Sequence, residues 1–400
     1  MWVTVNGTNS TEIEDSVVER VLSLYPEEEL INRPVFEKAF NSGAVELQDL
    51  KDESGKILIP WQMFFLTTVN LNKQIEHTDE QRRHKVSAKL VAKRRGTGDV
   101  TSKRIIDRLI RQQNFLTSTG TIPKNTFCNS LGRIPTQRAV ESLITHFEIS
   151  REYLWKYQGK ARALEYLIGK VERQNINVSR GVLSNKLLPT WQVVPSDVYR
   201  NTSGFAIKDD CIPFVFLPSE VNPDEVESRQ IYTLVYLLAV IGLGKYDYYL
   251  ESNFKAKMLS ATGVSARIHA ITTEFLMPTI ETDKLRGKKI TAAKRDELAN
   301  KFKVSPSALI ITLRRRGVIS KKEYESLKPP KYVPKKRTGA KDRRSPKMST
   351  SVKKFCGEMS YNAINTGIQN RSLTSIQAQY LIYGAVYKAG YRKYRNELGI

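Results

Sequence analysis

Thr233–Gly242 reads TLVYLLAVIG. The run carries no charge, although 64 of the 400 residues in the chain are Lys or Arg and 41 are Asp or Glu. The uncharged stretch extends from Ile231 to Gly244, 14 residues, short of the roughly 20 that a helix needs to span a bilayer. A helix that is apolar all round must be covered all round. The stretch therefore predicts a central helix on which the other elements pack.

Before it, the helical periodicity breaks. WQVVPSDV, from Trp191, and IPFVFL, from Ile212, read as short strands around a turn at KDD, Lys208–Asp210. Apolar residues elsewhere recur mostly at helical spacing. The expected class is α+β, mostly helical, with a small β-sheet near the middle. Hydrophobic residues make up 40%, enough for a sizeable core. Cys128, Cys211 and Cys356 lie far apart, which suits neither a disulfide framework nor a zinc cluster and fits a reducing cytoplasm. The N-terminus lacks the basic-then-apolar order of a signal peptide. No cofactor and no membrane partner are expected.

Charge is uneven. Residues 1–54 hold twelve acidic and four basic residues. Three blocks are strongly basic: 82–111 with eleven cations and two acids, 286–322 with twelve and two, 328–354 with eleven and one. A net charge of +23 favours a polyanionic partner, nucleic acid before all others. KPPKYVPKKRTGAKDRRSPKMSTS, from Lys328, is rich in Pro, Ser and cations without apolar periodicity, and reads as a basic linker or arm. The first block has few aromatics, which suits contact with backbone phosphates better than base stacking.

The chain also echoes itself. ESLITHFEISREYL, from Glu141, aligns with DELANKFKVSPSAL, from Asp296, 155 positions later. Leu143, Phe147, Ile149, Ser150 and Leu154 match Leu298, Phe302, Val304, Ser305 and Leu309. Each copy predicts a helix, a short turn ending in an N-capping Ser, and a second helix, the layout of a helix-turn-helix whose second helix projects outward. The second copy ends in Arg314, Arg315 and Arg316. The first has Tyr153, Trp155 and Tyr157 at the corresponding place and reads as a packing element.

From about Asn177 to Leu327 the chain resembles the ImmA/IrrE family of zinc metallopeptidases. The landmarks come in order: SGFAIKDDCIPFVFL, from Ser203, resembles the β-element before the active-site helix. RQIYTLVYLLAVIG, from Arg229, resembles that helix, which in the family reads R-x-F-T-L-x-H-E-x-x-H. ARIHAITTEFLMP, from Ala266, resembles the next helix, and ELANKFKVSPSALIITLRRRGVIS, from Glu297, the helix-turn-helix after it. YNAINTGIQNRSLTSIQAQYLIYG, from Tyr361, is similar to a C-terminal segment of longer members. The family's two His and one Glu fall on Tyr236, Val240 and Leu237, and its downstream acidic ligand falls near Arg267. Zinc needs lone-pair donors and the attacking water needs a base; Leu237 and Val240 have no lone pair to give, Leu237 cannot take a proton, and Arg267 is a cation that would repel the metal. The resemblance thus implies a zincin-like pseudo-peptidase core with no metal site and no catalytic residue.

The expected organisation is a helical region over 1–176, the pseudo-peptidase core over 177–285, a helix-turn-helix over 286–327, a basic linker over 328–351 and a C-terminal helical segment over 352–400. The expected function is that of a catalytically inactive, DNA-binding regulator of a mobile element, prophage or defence locus. The residues expected on duplex DNA are Arg314, Arg315 and Arg316, with Lys301 and Lys303 beside them, Lys335, Lys336, Arg337, Arg343 and Arg344 of the arm, and Arg94 and Arg95 of the first block. Two alternatives stand beside this: an interaction module that takes a protein partner in the former substrate groove, and a peptidase with a non-standard site drawing on Glu274 and His269.

Overall fold

The computed structural model describes residues 1–24, 34–56, 60–87, 98–120, 122–181, 202–218, 226–251, 258, 260–329, 347–384 and 386–400. The chain opens with a hairpin, β1 (Trp2–Val5) and β2 (Thr8–Glu12). Asn6 and Gly7 turn it at φ 52° and 77°, the left-handed pair that an Asn-Gly two-residue turn requires. After α1 (Asp15–Leu22) and α2 (Pro34–Ser42), β3 (Ala44–Glu46) joins β1 in parallel, giving the order β2-β1-β3. Then come α3 (Leu47–Lys56), a 3-10 turn (Trp61–Phe65) and α4 (Thr68–Lys85). Val3, Val18, Val21, Phe36, Leu50, Phe64 and Leu71 form a small core of their own. The N-terminal region, expected as helical, thus also holds a three-stranded sheet. The hairpin was legible in VTVNGTNST, where Asn-Gly follows an alternating strand.

The central layer follows. It comprises α5 (Gly98–Ser118), α6 (Thr136–His146), α7 (Arg151–Lys156), α8 (Lys160–Glu172), β4 (Asn177–Arg180), β5 (Thr202–Ile207), β6 (Phe214–Leu217), α9 (Val226–Leu243) and β7 (Leu250–Glu251). It continues with α10 (Gly263–Leu276), α11 (Thr279–Asp283), α12 (Ala292–Lys301), α13 (Pro306–Arg315) and α14 (Lys321–Ser326). The four strands order as β4-β6-β5-β7, with β4 parallel to β6 and the other pairs antiparallel. IPFVFL supplies β6 and KDD turns the hairpin from β5, as the sequence indicates; WQVVPSDV lies outside the described residues. The class is α+β and mostly helical.

The stretch TLVYLLAVIG lies in α9. Every residue from Gln230 to Gly242 is buried, so a helix whose length and composition would suit a bilayer is covered instead by protein. Its neighbours are α8, α10, β5 and β6. The sheet comes very close to it. At Gly204 a Cβ would stand 2.5 Å from Thr233 Cγ2 and 2.8 Å from the Phe216 carbonyl oxygen, so only glycine allows this approach.

The four-stranded sheet is buried on both faces. Ala206, Val215 and Leu217 join α9 in the larger core, whereas Phe205, Ile207, Phe214 and Phe216 face a second one. That second core is completed by Ile105, Ile106 and Leu109 of α5 and by four C-terminal helices: α15 (Met348–Cys356), α16 (Glu358–Gln369), α17 (Ser375–Tyr383) and α18 (Lys388–Leu398). The segment after the linker is therefore part of the sheet's packing, not a unit apart. Asn177 of β4 fastens it by donating to the Cys356 carbonyl at 2.7 Å. The expected 1–176 region is also divided: α6 to α8 belong to the core around α9.

Candidate functional site

Tyr236, Leu237 and Val240, the positions that the sequence resemblance aligns with two zinc ligands and a base, stand in α9. Leu237 and Val240 are fully buried and Tyr236 nearly so. The Tyr236 ring lies 5.1 Å from the ring of His269 on α10. The Tyr232 hydroxyl lies 2.9 Å from His269 Nδ1 and 3.7 Å from Met258 Sδ. Burial, and then the positive charge of Arg315, push the His269 imidazole down to about 4, so it is neutral near pH 7. Arg267 is a tie between elements: its guanidinium donates to the carbonyls of Leu131 and Ile134 at 3.1 and 2.7 Å. Among the described residues no three His, Cys, Asp or Glu side chains gather as metal ligands would. Glu274 has other work. Its carboxylate accepts from the Thr279 backbone at the start of α11 and from Arg316 Nη2 at 2.9 Å, which leaves no free carboxylate beside His269.

Above this buried layer lies an open cleft of about 450 Å³. Thr136 and Gln137 of α6, Ala270, Thr273 and Glu274 of α10, Thr279 of α11, Thr312, Arg315 and Arg316 of α13, and Met258 line it. The hydroxyls of Thr273 and Thr312 donate back into their own helices, to the His269 and Ala308 carbonyls.

The internal echo holds in the backbone. Glu148 and Lys303 both have positive φ, 49° and 60°. Phe147 and Phe302 donate to Leu143 and Leu298, and Ile149 and Val304 to Ile144 and Ala299, each bond repeating at the same offset. These pairs close each first helix through a left-handed residue. Ser150 and Ser305 cap each second helix by accepting from the N–H three residues on. The copies meet: the Trp155 ring lies 5.6 Å from Phe302, and Lys303 Nζ donates to the Tyr157 carbonyl at 2.7 Å.

The second copy does not project, however. Ala308 to Leu313 of α13 are buried without a break. A helix that enters a major groove needs a free face along its length, and α13 lacks one; three consecutive β-branched residues, Ile310 to Thr312, close the side that polar groups would have to occupy. Its cations are mostly committed. Arg316 turns inward, donating to the Met277 carbonyl and Thr282 Oγ1 besides Glu274. Lys303 is buried on Tyr157, and Lys301 pairs with Glu281 at 2.7 Å. Arg314 is half-buried and Arg315 is exposed. Of the five cations expected on phosphate here, Arg316, Lys301 and Lys303 are thus engaged within the fold.

In the block over 82–111 three of the described cations are tied into the fold. Arg82 joins Asp107 and Asp79, Lys85 reaches Asp209 at 3.4 Å, and Arg108 is buried with its guanidinium 3.6 Å above the Phe355 ring. Arg94, Arg95, Lys335, Lys336, Arg337, Arg343 and Arg344 lie outside the described residues.

Free cations appear at the end of the third basic block and beyond it, on α15 and α18. α15 and α18 pack side by side, and Glu397 near the end of α18 caps the start of α15 by accepting from the Met348 and Ser349 N–H groups. Both bury one face, Val352 and Phe355 with Tyr391 and Tyr394. Their outer faces carry Lys347, Lys353, Lys354, Lys388, Arg392 and Lys393, all exposed. Among the described residues only Lys353 of these six forms an ion pair, with Glu358 at 2.9 Å. Spacing held part of the signal: Lys388 and Arg392, four apart, fall together on the exposed side of α18, whereas Tyr391 and Tyr394, three apart, fall on its buried side. No protein-family model, no curated protein and no solved structure matches this chain.

Proposed function

We propose that this protein is a non-catalytic, duplex-DNA-binding regulator built on an ImmA/IrrE-like core whose zinc site has been replaced by packed apolar side chains. The observation that carries the binding half is the unpaired cationic face of α15 and α18, which follows directly on the basic linker. Cations without intramolecular partners are the ones free to displace counterions from a phosphate backbone. The burial of Tyr236, Leu237 and Val240 supports the non-catalytic half, because a metal and a water need an open polar position. DNA is held by its backbone on this reading, with α13 serving as scaffold. The test is a salt titration of binding to one duplex by the parent and by a variant with Lys347, Lys354, Lys388 and Arg392 all changed to Gln. Equal salt dependence for both would overturn the assignment of this face. A second reading, a protein partner seated in the cleft beside α10 and α13, is favoured by the openness of that cleft; a partner that remains bound after nuclease treatment would support it.

A further inference from the structure

Cys128 and Cys211 are far apart in sequence, and the fold brings their segments together. Cys211 stands in the turn between β5 and β6. Asp209 builds that turn: its Oδ1 accepts from the Cys211 and Ile212 N–H groups at 2.9 and 3.0 Å, and its Oδ2 lies 3.4 Å from Lys85 Nζ. Cys128 stands in the turn between α5 and α6. The two turns meet at two points. The Asn125 N–H donates to the Asp210 carbonyl at 2.8 Å, and Cys128 Sγ lies 3.7 Å from the Asp209 carbonyl oxygen. Cys211 follows directly on these two residues, and the thiols stand close enough to act on each other electrostatically. Both are free thiols and half-buried, as is Tyr246, whose hydroxyl lies 3.9 Å from Cys128 Sγ. A reagent in water can therefore reach the pair. Cys356 differs: it is fully buried, with Gln112 Nε2 3.3 Å from its Sγ. The Cys128 turn is itself anchored, because the Asn129 and Leu131 N–H groups donate to the Ile241 and Gly242 carbonyls at the end of α9.

We propose that Cys128 and Cys211 are a redox-active pair, which a small-molecule disulfide closes into a bond between the α5–α6 turn and the β5–β6 turn. A disulfide requires Cα atoms roughly 4.4–6.8 Å apart, so the exposed tip of the β5–β6 turn settles onto Cys128 as the bond forms. In the first step a Cys211 thiolate, its proton released to water, attacks one sulfur of the small disulfide and expels a thiolate. A Cys128 thiolate then attacks the Cys211 sulfur of the mixed disulfide and expels the second. The protein loses two electrons and two protons, and the small disulfide gains them as two thiols. Burial pushes the Cys128 thiol up; the Tyr246 hydroxyl opposes this, and the Asp210 and Asp209 carboxylates add to it. Few Cys128 thiolates are present near pH 7 for that reason, and the second step is slow there. The closed pair ties the β5–β6 hairpin to the end of α9.

The experiment uses the full chain in glutathione buffers set from reduced to oxidised. Oxidised buffer should remove two of the three free thiols, and a non-reducing peptide map should join Cys128 to Cys211 with Cys356 still a thiol. Closing a long loop constrains the unfolded chain, so the melting temperature should rise by about a few degrees, and dithiothreitol should reverse the rise. Cys128→Ser should stop at a glutathione adduct on Cys211, and Cys211→Ser should form no cross-link. Lys354→Gln, on the outer face of α15, should cross-link as the parent does, which separates this pair from the proposed DNA face. Three thiols still free in oxidised buffer, separate glutathione adducts on Cys128 and Cys211 of the parent, or a cross-link through Cys356 would each overturn the proposal. The peptide map of the parent decides it even where a serine variant fails to fold.

Discussion

Arg316 on α13 crosses to α10 and meets the Glu274 carboxylate at 2.9 Å, with both side chains largely withdrawn from water. Its neighbour Arg315 is exposed and has no hydrogen bond or ion pair among the described residues. Two adjacent arginines in one RRR run thus have opposite roles. Arg316→Ala should destabilise the protein by about 2–3 kcal/mol, since it leaves a buried carboxylate uncompensated. Arg315→Ala should stay within about 0.5 kcal/mol of the parent, as surface changes do. Urea unfolding of the two variants is the check; equal midpoints would mean that the Arg316 pair contributes nothing net.

Leu237→Glu places a carboxylate where no partner exists and should cost several kcal/mol. Gly204→Ala should be nearly as harmful by a different route, about 2–3 kcal/mol, because the added methyl group meets Thr233 and the Phe216 carbonyl and the sheet must retreat from α9. Thermal melting measures both. If Leu237→Glu melts within about a degree of the parent, α9 borders open space.

Two buried groups oppose each other in pH dependence. His269 is held down to about 4 from an ordinary 6.5 by burial, with Arg315 adding to it. The unfolded chain binds the proton first, so the stability this residue supplies is full above pH 6.5 and is lost as pH falls toward 4, on the order of 3 kcal/mol in all. Glu172 is pushed up by burial to about 7 from 4.5, against the pull of the Glu358 and Val178 N–H groups it accepts. Here the folded chain holds the proton longer, so stability falls as pH rises from 4.5 to 7. His269→Gln should make stability less sensitive to acid below pH 6.5, and Glu172→Gln should raise stability most at pH 8. Unfolding free energies from pH 4 to 8 would show both slopes; profiles parallel to the parent's would refute the assignments.

On duplex DNA, log K should fall steeply with log salt, by about 0.9 for each phosphate neutralised. Changing Lys347, Lys354, Lys388 and Arg392 together should flatten that slope by up to about 3.6 units if each meets a phosphate. Changing Arg316 alone should not alter it. Removing residues 335–347 should weaken binding to all duplexes alike, since backbone contacts carry no base readout.

Purified protein should hold no stoichiometric zinc and cleave no protein substrate. Tyr236→His with Val240→His should fail to restore cleavage, because the base position stays with Leu237. One tightly held zinc per chain by elemental analysis would remove the pseudo-peptidase reading.

Much of the fold was legible. TLVYLLAVIG announced a helix covered on every side, IPFVFL a strand, and the Phe147 and Phe302 echoes a repeated turn, because apolar pattern and capping residues act locally. The charges were legible only as a sum. Arg82, Arg108, Arg295 and Arg316 look alike in sequence, yet in three dimensions each serves a carboxylate, a carbonyl or an aromatic ring; Arg295, for instance, donates to the Leu327 carbonyl at 2.6 Å. Whether a guanidinium stays inside or faces water depends on which acceptors distant elements bring to it. For the same reason α13, helix-turn-helix in its capping, could be seen as buried only once its neighbours were in place.

The sheet's two occupied faces have a consequence for the order of events on the ribosome. Val215 and Leu217 find their cover in α9, made soon after them, but Phe205, Phe214 and Phe216 have chiefly α5 on their side until α15 to α18 are made, more than 120 residues later. Through that interval of synthesis the row of aromatic rings on β5 and β6 is covered in part. A chain shortened before Met348 is expected to keep that row half open, a template for self-association. The helices from Met348 onward thus close a face of the sheet long after its strands are made.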